Sequence, residues 1–366
     1  ADALSDLLRF GGEGRPASRK AGGNLWGLPV EQPVRLEAVD TVTTKERLLT
    51  LLETRRGSFL SGEEAARELA VSRAAVCKAV KALRQAGYPI DAVTNRGYRL
   101  SEQGDVLSAQ GVAKYLNPEM SPQVEKTLDS TNAAARRLAE QGAPEGTVVL
   151  AGSQTQGRGR YGRTFYSPEG TGVYLSLLLR PAGDPQQTVL LTAAAAAAMC
   201  QAMEALGVEN PGIKWVNDIF LRGKKVCGIL CEASFSLETG APEYVVVGAG
   251  INVYAPKGGF PPEIADIGGA LWESPVSDGK NKLAAEFLNR FWTLYRTGGD
   301  FLEDYRRRSL VIGKTVAVTA GGESKPALAL DIDDRCRLRV RFANGEERSL
   351  SYGEVRVVPA EPDEKQ

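Results

Sequence analysis

Histidine is absent from the 366-residue chain. This absence excludes serine and cysteine nucleophiles that depend on a histidine base, and it excludes zinc sites with imidazole ligands. Any catalysis must therefore use arginine, lysine and carboxylate side chains, with a magnesium ion held by oxygen ligands where a metal is needed. Basic and acidic residues balance at 45 each, so no overall charge steers the protein to nucleic acid or to a membrane.

Cysteine and long hydrophobic runs are also scarce. The five cysteines are an odd number without CxxC spacing, which argues against a disulfide framework and favours a reducing compartment. The longest apolar run, residues 189–200, is shorter than the ~20 residues that span a bilayer. The N-terminus has no hydrophobic core typical of a signal peptide. We therefore expect a cytoplasmic protein with no membrane partner.

A segment rich in glycine and arginine, Ser153-Gln-Thr-Gln-Gly-Arg-Gly-Arg-Tyr-Gly-Arg-Thr-Phe165, indicates an anion-binding loop. Gly157, Gly159 and Gly162 permit positive φ angles and close approach of a ligand, and the arginines offer guanidinium groups suited to carboxylate or phosphate. The glycine spacing also matches the dinucleotide-binding pattern, but a helix must follow that pattern. An apolar strand, residues 173–179, follows instead. A merely solvated loop is the weaker alternative, because one short copy lies in a neutral chain.

Sequence patterning divides the chain into five parts and predicts an α+β fold. We expect a mobile extension at 1–42, a winged helix at 43–104, a central α+β domain with a mixed sheet at 105–311, a small SH3-like β-barrel at 312–359 and a tail at 360–366. The extension lacks sustained periodicity. Short strands separated by turns predict the barrel.

Residues 44–100 predict a helix-turn-helix followed by a two-stranded wing. Helical spacing places Val76, Val80 and Leu83 in the core, and the start of this third helix could reach phosphates and base edges in a major groove. The predicted DNA-binding residues are Ser72, Arg73, Lys78 and Lys81. Residues 44–100 contain eleven Lys plus Arg and six Asp plus Glu, a local excess that favours DNA over the alternative of protein contacts alone.

Four motifs follow the predicted winged helix in order. They are Gly157-Arg-Gly-Arg-Tyr-Gly-Arg163, Lys214-Trp-Val-Asn-Asp218, Lys225-Val-Cys-Gly-Ile-Leu230 and Gly248-Ala-Gly-Ile-Asn252. Each motif alone is weak, but together they make residues 44 to about 358 resemble the bifunctional biotin protein ligases that also act as biotin operon repressors. The resemblance implies activation of biotin with ATP to biotinyl-5'-AMP and transfer of biotin to a lysine of a biotin carboxyl carrier protein.

The same resemblance implies roles for individual residues. The implied biotin-binding residues are Ser130, Thr131, Asn132, Gln154, Gly157, Arg158, Gly159, Arg160, Lys225, Gly248 and Gly250. The implied nucleotide-binding residues are Arg160, Asn217, Asp218 and Asn252, and Asp218 would also bind Mg²⁺. Lys225, Arg158 and Arg160 would be catalytic. From the residues alone, Ser130 or Thr131 could simply cap a helix.

The implied partners are the carrier protein, operator DNA and a second copy of the chain, since repressors of this family dimerise when the adenylate is bound. Such a dimer would set the spacing of two winged helices on a palindromic site. One alternative is a lipoate or octanoate transferase of the same fold, although those enzymes lack the triple-arginine loop. A second alternative is a non-catalytic biotin-sensing transcription factor, which has little need for residues that bind phosphate and metal.

Overall fold

The computed structural model describes residues 42–181, 187–236, 238, 240–320, 323–351 and 354–357. Of the predicted N-terminal extension, only residue 42 belongs to this set, and the predicted tail at 360–366 lies outside it.

The N-terminal domain is a winged helix. Its elements are α1 (Thr44–Thr54), α2 (Gly62–Leu69), α3 (Arg73–Gln85), β1 (Ile90–Val93) and β2 (Gly97–Leu100). Val76, Val80 and Leu83 are buried, as predicted. Ser61 caps α2 by accepting a hydrogen bond from the Glu64 amide. The reciprocal capping box lies at α1, where Thr43 and Glu46 each cap the other's backbone.

The central domain contains a seven-stranded mixed sheet. Its elements are α4 (Ala109–Ala113), β3 (Ser121–Glu125), α5 (Thr131–Glu140), β4 (Thr147–Ala151), β5 (Gly172–Leu179), α6 (Gln187–Ala205), β6 (Gly212–Lys214), β7 (Asp218–Leu221), β8 (Lys224–Phe235), β9 (Pro242–Asn252), α7 (Gly279–Thr297) and α8 (Leu302–Arg307). The strand order is β3-β4-β5-β9-β8-β7-β6. Only β3 and β4 pair in parallel, and the other neighbours are antiparallel.

Each face of this sheet is covered by different helices. Because side chains alternate along a strand, Val148 and Leu177 pack with α6 and α7, whereas Val149 and Leu178 pack with α5. The alanine run of α6 is fully buried, and its small side chains let the helix lie close to the sheet. Among the described residues, no helix is long and apolar enough to cross a bilayer.

The C-terminal domain is a five-stranded antiparallel sheet in the order β13-β12-β11-β10-β14. The strands are β10 (Thr315–Ala320), β11 (Glu323–Ile332), β12 (Leu338–Phe342), β13 (Glu347–Leu350) and β14 (Glu354–Val357). The predicted fold class is therefore confirmed. Between β11 and β12, Cys336 has a φ of 57°.

Buried ion pairs join the winged helix to the central domain. Asp278, at the start of α7, has a side chain only 1% exposed, and its Oδ1 lies 3.1 Å from Arg56 Nη2. Its Oδ2 lies 2.8 Å from Lys114 Nζ, which also lies 3.1 Å from Glu53 Oε2. Each buried carboxylate therefore faces a cation, which offsets the cost of removing its charge from water.

Candidate active site

A narrow cavity lies beneath the glycine–arginine loop, between the first turn of α5 and the middle of β8 and β9. Its lining residues are Ser130, Thr131, Asn132, Gln154, Arg158, Phe165, Gly228, Leu230, Gly248, Ala249 and Gly250. The structure thus brings together most of the predicted biotin-binding residues. Four others, Gly157, Gly159, Arg160 and Lys225, lie in the loop above or at the adjoining charged end.

The N-terminus of α5 places the first polar residues on the cavity wall. Ser130 is the N-cap and accepts a hydrogen bond from the Ala133 amide. The same residue therefore caps the helix and lines the cavity. The preceding Asp129 accepts hydrogen bonds from Arg137 at 2.9 and 3.0 Å. These bonds lower the pKa of Asp129 to about 2. The turn that presents Thr131 and Asn132 is therefore anchored at both ends.

Hydrogen bonds fix the orientation of Asn132. Its Nδ2 donates to Glu232 Oε2 at 2.8 Å and to the Leu230 carbonyl at 3.2 Å. Its Oδ1 lies 2.6 Å from the hydroxyl of Ser176, a fully buried residue of β5. Sequence reasoning missed Glu232, Leu230 and Ser176. A signal for Ser176 was present, because it is a lone serine in an otherwise hydrophobic strand.

Hydrogen bonds also fix the orientation of Gln154. Its Oε1 accepts a hydrogen bond from the Thr131 amide at 2.8 Å, and its Nε2 donates to Ser167 Oγ at 2.9 Å. Ser167 in turn donates to the carbonyl of Phe165 at 3.0 Å. The cavity therefore presents neutral amide and hydroxyl groups in defined directions, an arrangement suited to a small polar ring.

Glycines form the floor because neighbouring side chains leave no room for a Cβ atom. A Cβ on Gly248 would lie 2.1 Å from Asn132 Oδ1, and one on Gly250 would lie 2.6 Å from the Phe165 ring. At Gly228, by contrast, a Cβ would make only ordinary contacts, 3.4 Å from the Phe165 ring and from Lys225 Nζ. Gly248 and Gly250 of β9 thus permit the close approach of Asn132 and Phe165.

The arginine loop folds back on itself above this floor. The Phe165 amide donates to the Gly157 carbonyl at 2.9 Å, and the Gly159 amide donates to the Arg163 carbonyl at 2.7 Å. Residues Arg160–Gly162 form one 3-10 turn, and no α-helix follows, which excludes the dinucleotide-binding arrangement.

The expectation of positive φ angles in this loop was only partly right. Gly162 has a φ of 73°, whereas Gly159 has a φ of −120°. Gly157 is needed for space instead, since a Cβ there would lie 2.3 Å from the Phe165 carbonyl oxygen. Close packing of the loop on itself, rather than backbone conformation, explains this glycine.

A charged cluster adjoins the neutral cavity. Lys225 Nζ lies 2.7 Å from Asp218 Oδ1, and Arg160 Nη1 donates to Asn217 Oδ1 at 3.2 Å. Asn217 Nδ2 donates to the Ile229 carbonyl at 2.9 Å, which fixes the amide orientation. Asp218 Oδ1 is buried and accepts no hydrogen bond with good geometry, so its contact with Lys225 is an ionic one. The cluster therefore contains two cations that could bind an anionic ligand, Arg160 and Lys225, and one carboxylate, Asp218.

The C-terminal domain and α8 of the central domain support the chain just before this cluster. Trp215 Nε1 donates to the Cys336 carbonyl at 2.9 Å, and the Tyr305 hydroxyl donates to the Val216 carbonyl at 2.9 Å. Burial raises the pKa of Tyr305 well above its usual range, which keeps the phenol protonated as a donor. The Trp215–Val216 peptide bond is cis. Neither Tyr305 nor Cys336 was predicted from the sequence, since both are distant along the chain.

Asn252, the remaining predicted nucleotide-binding residue, lies at the end of β9 and away from the cavity wall. Its carbonyl accepts a hydrogen bond from the Leu271 amide at 2.9 Å. The backbone of Lys225 pairs with that of Ile267 and Gly269, at 2.7 and 2.9 Å. Residues 267–271 therefore run along the ends of β8 and β9, beside the charged cluster.

No group of three or more metal-binding side chains occurs among the described residues. Asp218 can still supply one oxygen ligand. Mg²⁺ in nucleotide sites commonly binds one or two carboxylates and takes its remaining ligands from phosphate and water. The buried Asp218 oxygen that lacks a hydrogen bond fits this role.

The predicted DNA-binding residues Ser72, Arg73, Lys78 and Lys81 are all exposed on α3. Ser72 also caps the helix through the Ala75 amide. The four residues thus lie at the start or at exposed positions of one helix, which a major groove could accommodate.

A more open cavity of about 620 Å³ lies elsewhere, beside the loop between α6 and β6 and against Leu271 and Trp272. It contains none of the predicted site residues, and Arg222 on its wall lies 3.5 Å from Glu273. We assign the site to the narrower cavity because oriented polar groups converge there.

Three parts of the chain match known protein families. Residues 124–252 match the Biotin/lipoate A/B protein ligase family, residues 44–99 match an HTH domain and residues 311–357 match the Biotin protein ligase C terminal domain. The chain is similar to the bifunctional ligase/repressor BirA of Bacillus subtilis, with 40% identity over 232 residues, or 63% of this chain and 71% of that protein. The Bacillus spizizenii protein of the same name is 39% identical over 232 residues, with the same coverage of 63% and 71%.

Among solved structures, the biotin protein ligase from Aquifex aeolicus in complex with biotin and ATP is 25% identical, with a TM-score of 0.54. The match covers 65% of this chain and 99% of that one. With this fold, this cavity and these relatives, the chain belongs to the biotin protein ligase family.

Proposed function

We propose that this protein is a biotin protein ligase that makes biotinyl-5'-AMP from biotin and ATP, transfers biotin to a lysine of a biotin carboxyl carrier protein, and also represses transcription in response to biotin. One observation carries the enzymatic part. The neutral side chains of Thr131, Asn132 and Gln154 line a cavity that adjoins a cluster containing Arg160 and Lys225. This juxtaposition suits a ligand with a neutral polar ring at one end and a carboxylate at the other.

In the first step, an oxygen of the biotin carboxylate attacks the α-phosphorus of ATP, a P–O bond forms, and pyrophosphate leaves. Both reactants are anions, so the main obstacles are charge repulsion and orientation. Lys225, beside the cavity floor, would neutralise the carboxylate and the charge that develops on the α-phosphate. Arg158 on the cavity wall and Arg160 beside Asn217 would add positive charge from above. No step needs a histidine.

Mg²⁺ would be held by Asp218, with Asn217 beside it, and would neutralise phosphate charge. Lys225 contacts the same Asp218 oxygen, at 2.7 Å. Substrate binding would therefore redirect the lysine from Asp218 toward the reacting carboxylate. Asn252, at the end of β9, would contribute to the nucleotide side of the site.

In the second step, the amine of the acceptor lysine attacks the biotinyl carbonyl, and AMP leaves. The mixed anhydride is also open to attack by water, so the site must exclude water until the carrier protein arrives. The loop containing Gly157, Gly159 and Arg160 would close over the adenylate. This role is supported by its position above the cavity.

The repressor role assigns residues 43–104 to operator DNA and residues 105–311 to catalysis. It is supported by the winged-helix fold, by the exposed basic residues of α3, and by similarity to relatives named ligase/repressor. We propose that a homodimer of the adenylate-bound form sets the spacing of two recognition helices. Removing residues 1–104 should then eliminate operator binding while adenylate formation continues. Operator binding by the truncated chain would refute this assignment.

Transfer of labelled biotin or labelled lipoate to a purified biotin carboxyl carrier domain tests the substrate assignment. We expect ATP-dependent incorporation of biotin and none of lipoate. Incorporation of lipoate instead would establish the transferase alternative. Binding of biotin without incorporation would indicate a sensor.

A further inference from the structure

Tyr305 contacts the segment that carries two of the predicted nucleotide-binding residues. Its side chain belongs to α8 and is fully buried. The phenol hydroxyl donates a hydrogen bond of 2.9 Å to the carbonyl of Val216, the residue directly before Asn217 and Asp218. The bond therefore joins the charged cluster to a helix that lies 89 positions away along the chain.

Helix α8 is itself held in place by α6. Asp304, the neighbour of Tyr305, accepts a hydrogen bond from Gln201 of α6 at 3.0 Å. Arg308, just after α8, donates to both carboxylate oxygens of Glu204 of α6, at 2.6 and 2.8 Å. Because α6 is buried in the main hydrophobic core, the Tyr305 hydroxyl is presented from a rigid support.

The segment before β7 is thus held from two sides. On the side of β8, the Asn217 amide group donates to the Ile229 carbonyl at 2.9 Å, and the Ile229 amide donates back to the Asn217 carbonyl at 2.9 Å. On the other side, Tyr305 donates to Val216. Val216 is only 4% exposed, so its carbonyl can replace a lost donor with water only if the segment moves. An unpaired buried carbonyl favours such movement.

We propose that Tyr305 is a positioning residue for the nucleotide end of the site. Its hydroxyl holds the Val216 carbonyl, and this contact fixes Asn217 and Asp218 where they would meet phosphate and Mg²⁺. Tyr305 acts through the backbone of the segment and not on a substrate. This inference rests on the proposed function, since Asn217 and Asp218 bind a nucleotide only if the protein uses ATP.

Removal of one oxygen atom tests this role in the full-length chain. Tyr305→Phe retains the buried ring and deletes only the donor. The segment can then leave its binding position, and the apparent affinity falls with the fraction of molecules that remain competent. The ligand is α,β-methylene-ATP, whose α–β bridge cannot be cleaved, with Mg²⁺ and saturating biotin. Isothermal titration calorimetry should show its affinity reduced about three- to tenfold, in line with the loss of one buried hydrogen bond.

Biotin affinity, measured without nucleotide, should match that of the wild type in this variant. Tyr305 is not among the residues that line the biotin cavity, so its loss should act on the nucleotide end alone. A general loss of stability would instead weaken both ligands together.

Tyr295→Phe is a matched control, because it removes another fully buried hydroxyl from the same domain. Tyr295 lies on α7 and donates to Glu145 Oε1 at 2.7 Å. Both variants should have a lower melting temperature, since each deletes a hydrogen bond from a buried hydroxyl. Only Tyr305→Phe should weaken nucleotide binding.

Trp215→Phe is a second variant at the segment itself and replaces Tyr305→Phe if that variant does not fold. It removes the hydrogen bond to the Cys336 carbonyl and should also weaken nucleotide binding while biotin affinity is retained. Wild-type nucleotide affinity in the variant, or an equal loss in Tyr295→Phe, would overturn the positioning role alone. Failure of the wild-type chain to bind biotin and the nucleotide analogue would overturn the proposed function and this role with it.

Discussion

The substitution Gly248→Ala tests the cavity geometry by adding a single carbon atom. The new Cβ would lie 2.1 Å from Asn132 Oδ1, 2.8 Å from its Cγ and 3.0 Å from its Nδ2. The whole amide group must therefore move by roughly 1 Å to reach van der Waals distance. It cannot move without disturbing its contacts with Ser176 at 2.6 Å, Glu232 at 2.8 Å and Leu230 at 3.2 Å.

The magnitude follows from these bonds. A neutral hydrogen bond contributes about 0.5–1.5 kcal/mol and one to a charged group about 1.5–3 kcal/mol, so displacement of Asn132 costs about 2–4 kcal/mol when the contacts only partly break. The displaced amide would occupy the cavity and would have to return for biotin to bind. Biotin affinity should then fall by about 30- to 1,000-fold, as measured by isothermal titration calorimetry, with a lower melting temperature.

Gly62→Ala is a matched control for this prediction. At the start of α2, the same added carbon would lie 3.5 Å from Tyr98 Cε2, an ordinary contact, and Gly62 has no positive φ. Its biotin affinity should stay within about twofold of wild type, with stability unchanged or slightly higher because alanine favours helix. Wild-type biotin affinity in Gly248→Ala would refute the proposed placement of the ring beside Asn132.

Three further substitutions test other parts of the account. In a pyrophosphate-release assay, Lys225→Ala should reduce the rate of adenylate formation at least about 100-fold, while the melting temperature changes little. A wild-type rate would show that Lys225 is not catalytic. The Arg160→Gly variant should release the adenylate early, so that lysines of other proteins become biotinylated, as detected by streptavidin blotting. Unchanged selectivity for the acceptor lysine would contradict closure of the loop over the adenylate. Arg56→Ala should lower the free energy of unfolding by about 3–5 kcal/mol at pH 7, as measured by thermal unfolding, and the difference in stability from wild type should narrow in acid. A difference that does not change with pH would contradict the ion pair between Arg56 and Asp278.

The pH dependence of the Arg56 variant follows from Asp278. Burial alone would raise the pKa of Asp278, but hydrogen bonds from Asn281, Lys114 and Tyr115 and the charge of Arg56 outweigh burial and lower it. A carboxylate with a lowered folded-state pKa stabilises the protein above its unfolded pKa of ~4. That stabilisation is lost as the pH falls through the folded-state value, so wild type and variant should converge in acid.

The fold was largely predictable because its elements have local signals. The alanine run of α6 is buried, the helical spacing of Val76, Val80 and Leu83 marks the winged-helix core, and serines at helix starts act as caps. Strands β3 and β13 were not predicted because they are short and polar, with exposed or half-buried side chains. Their place is determined by pairing with neighbours rather than by their own composition.

The site was predictable where motifs carry it and unpredictable where support comes from distant residues. The loop motif pointed to Arg158 and Arg160, and the structure places both near the cavity. Glu232, which is 100 positions from Asn132 along the chain, gave no local sign of its hydrogen bond. The contact between Trp215 and the Cys336 carbonyl spans 121 positions and belongs to two domains. Periodicity cannot reveal contacts of this kind.

Detection of biotinyl-5'-AMP by mass spectrometry tests the central claim most directly. The purified full-length chain would be incubated with biotin, ATP and Mg²⁺, with omission of each component as a control. The account predicts that biotinyl-5'-AMP and pyrophosphate form in equal amounts only in the complete mixture, and that Lys225→Ala forms both at least about 100-fold more slowly. Binding of biotin by the wild-type chain with no adenylate in the complete mixture would contradict it.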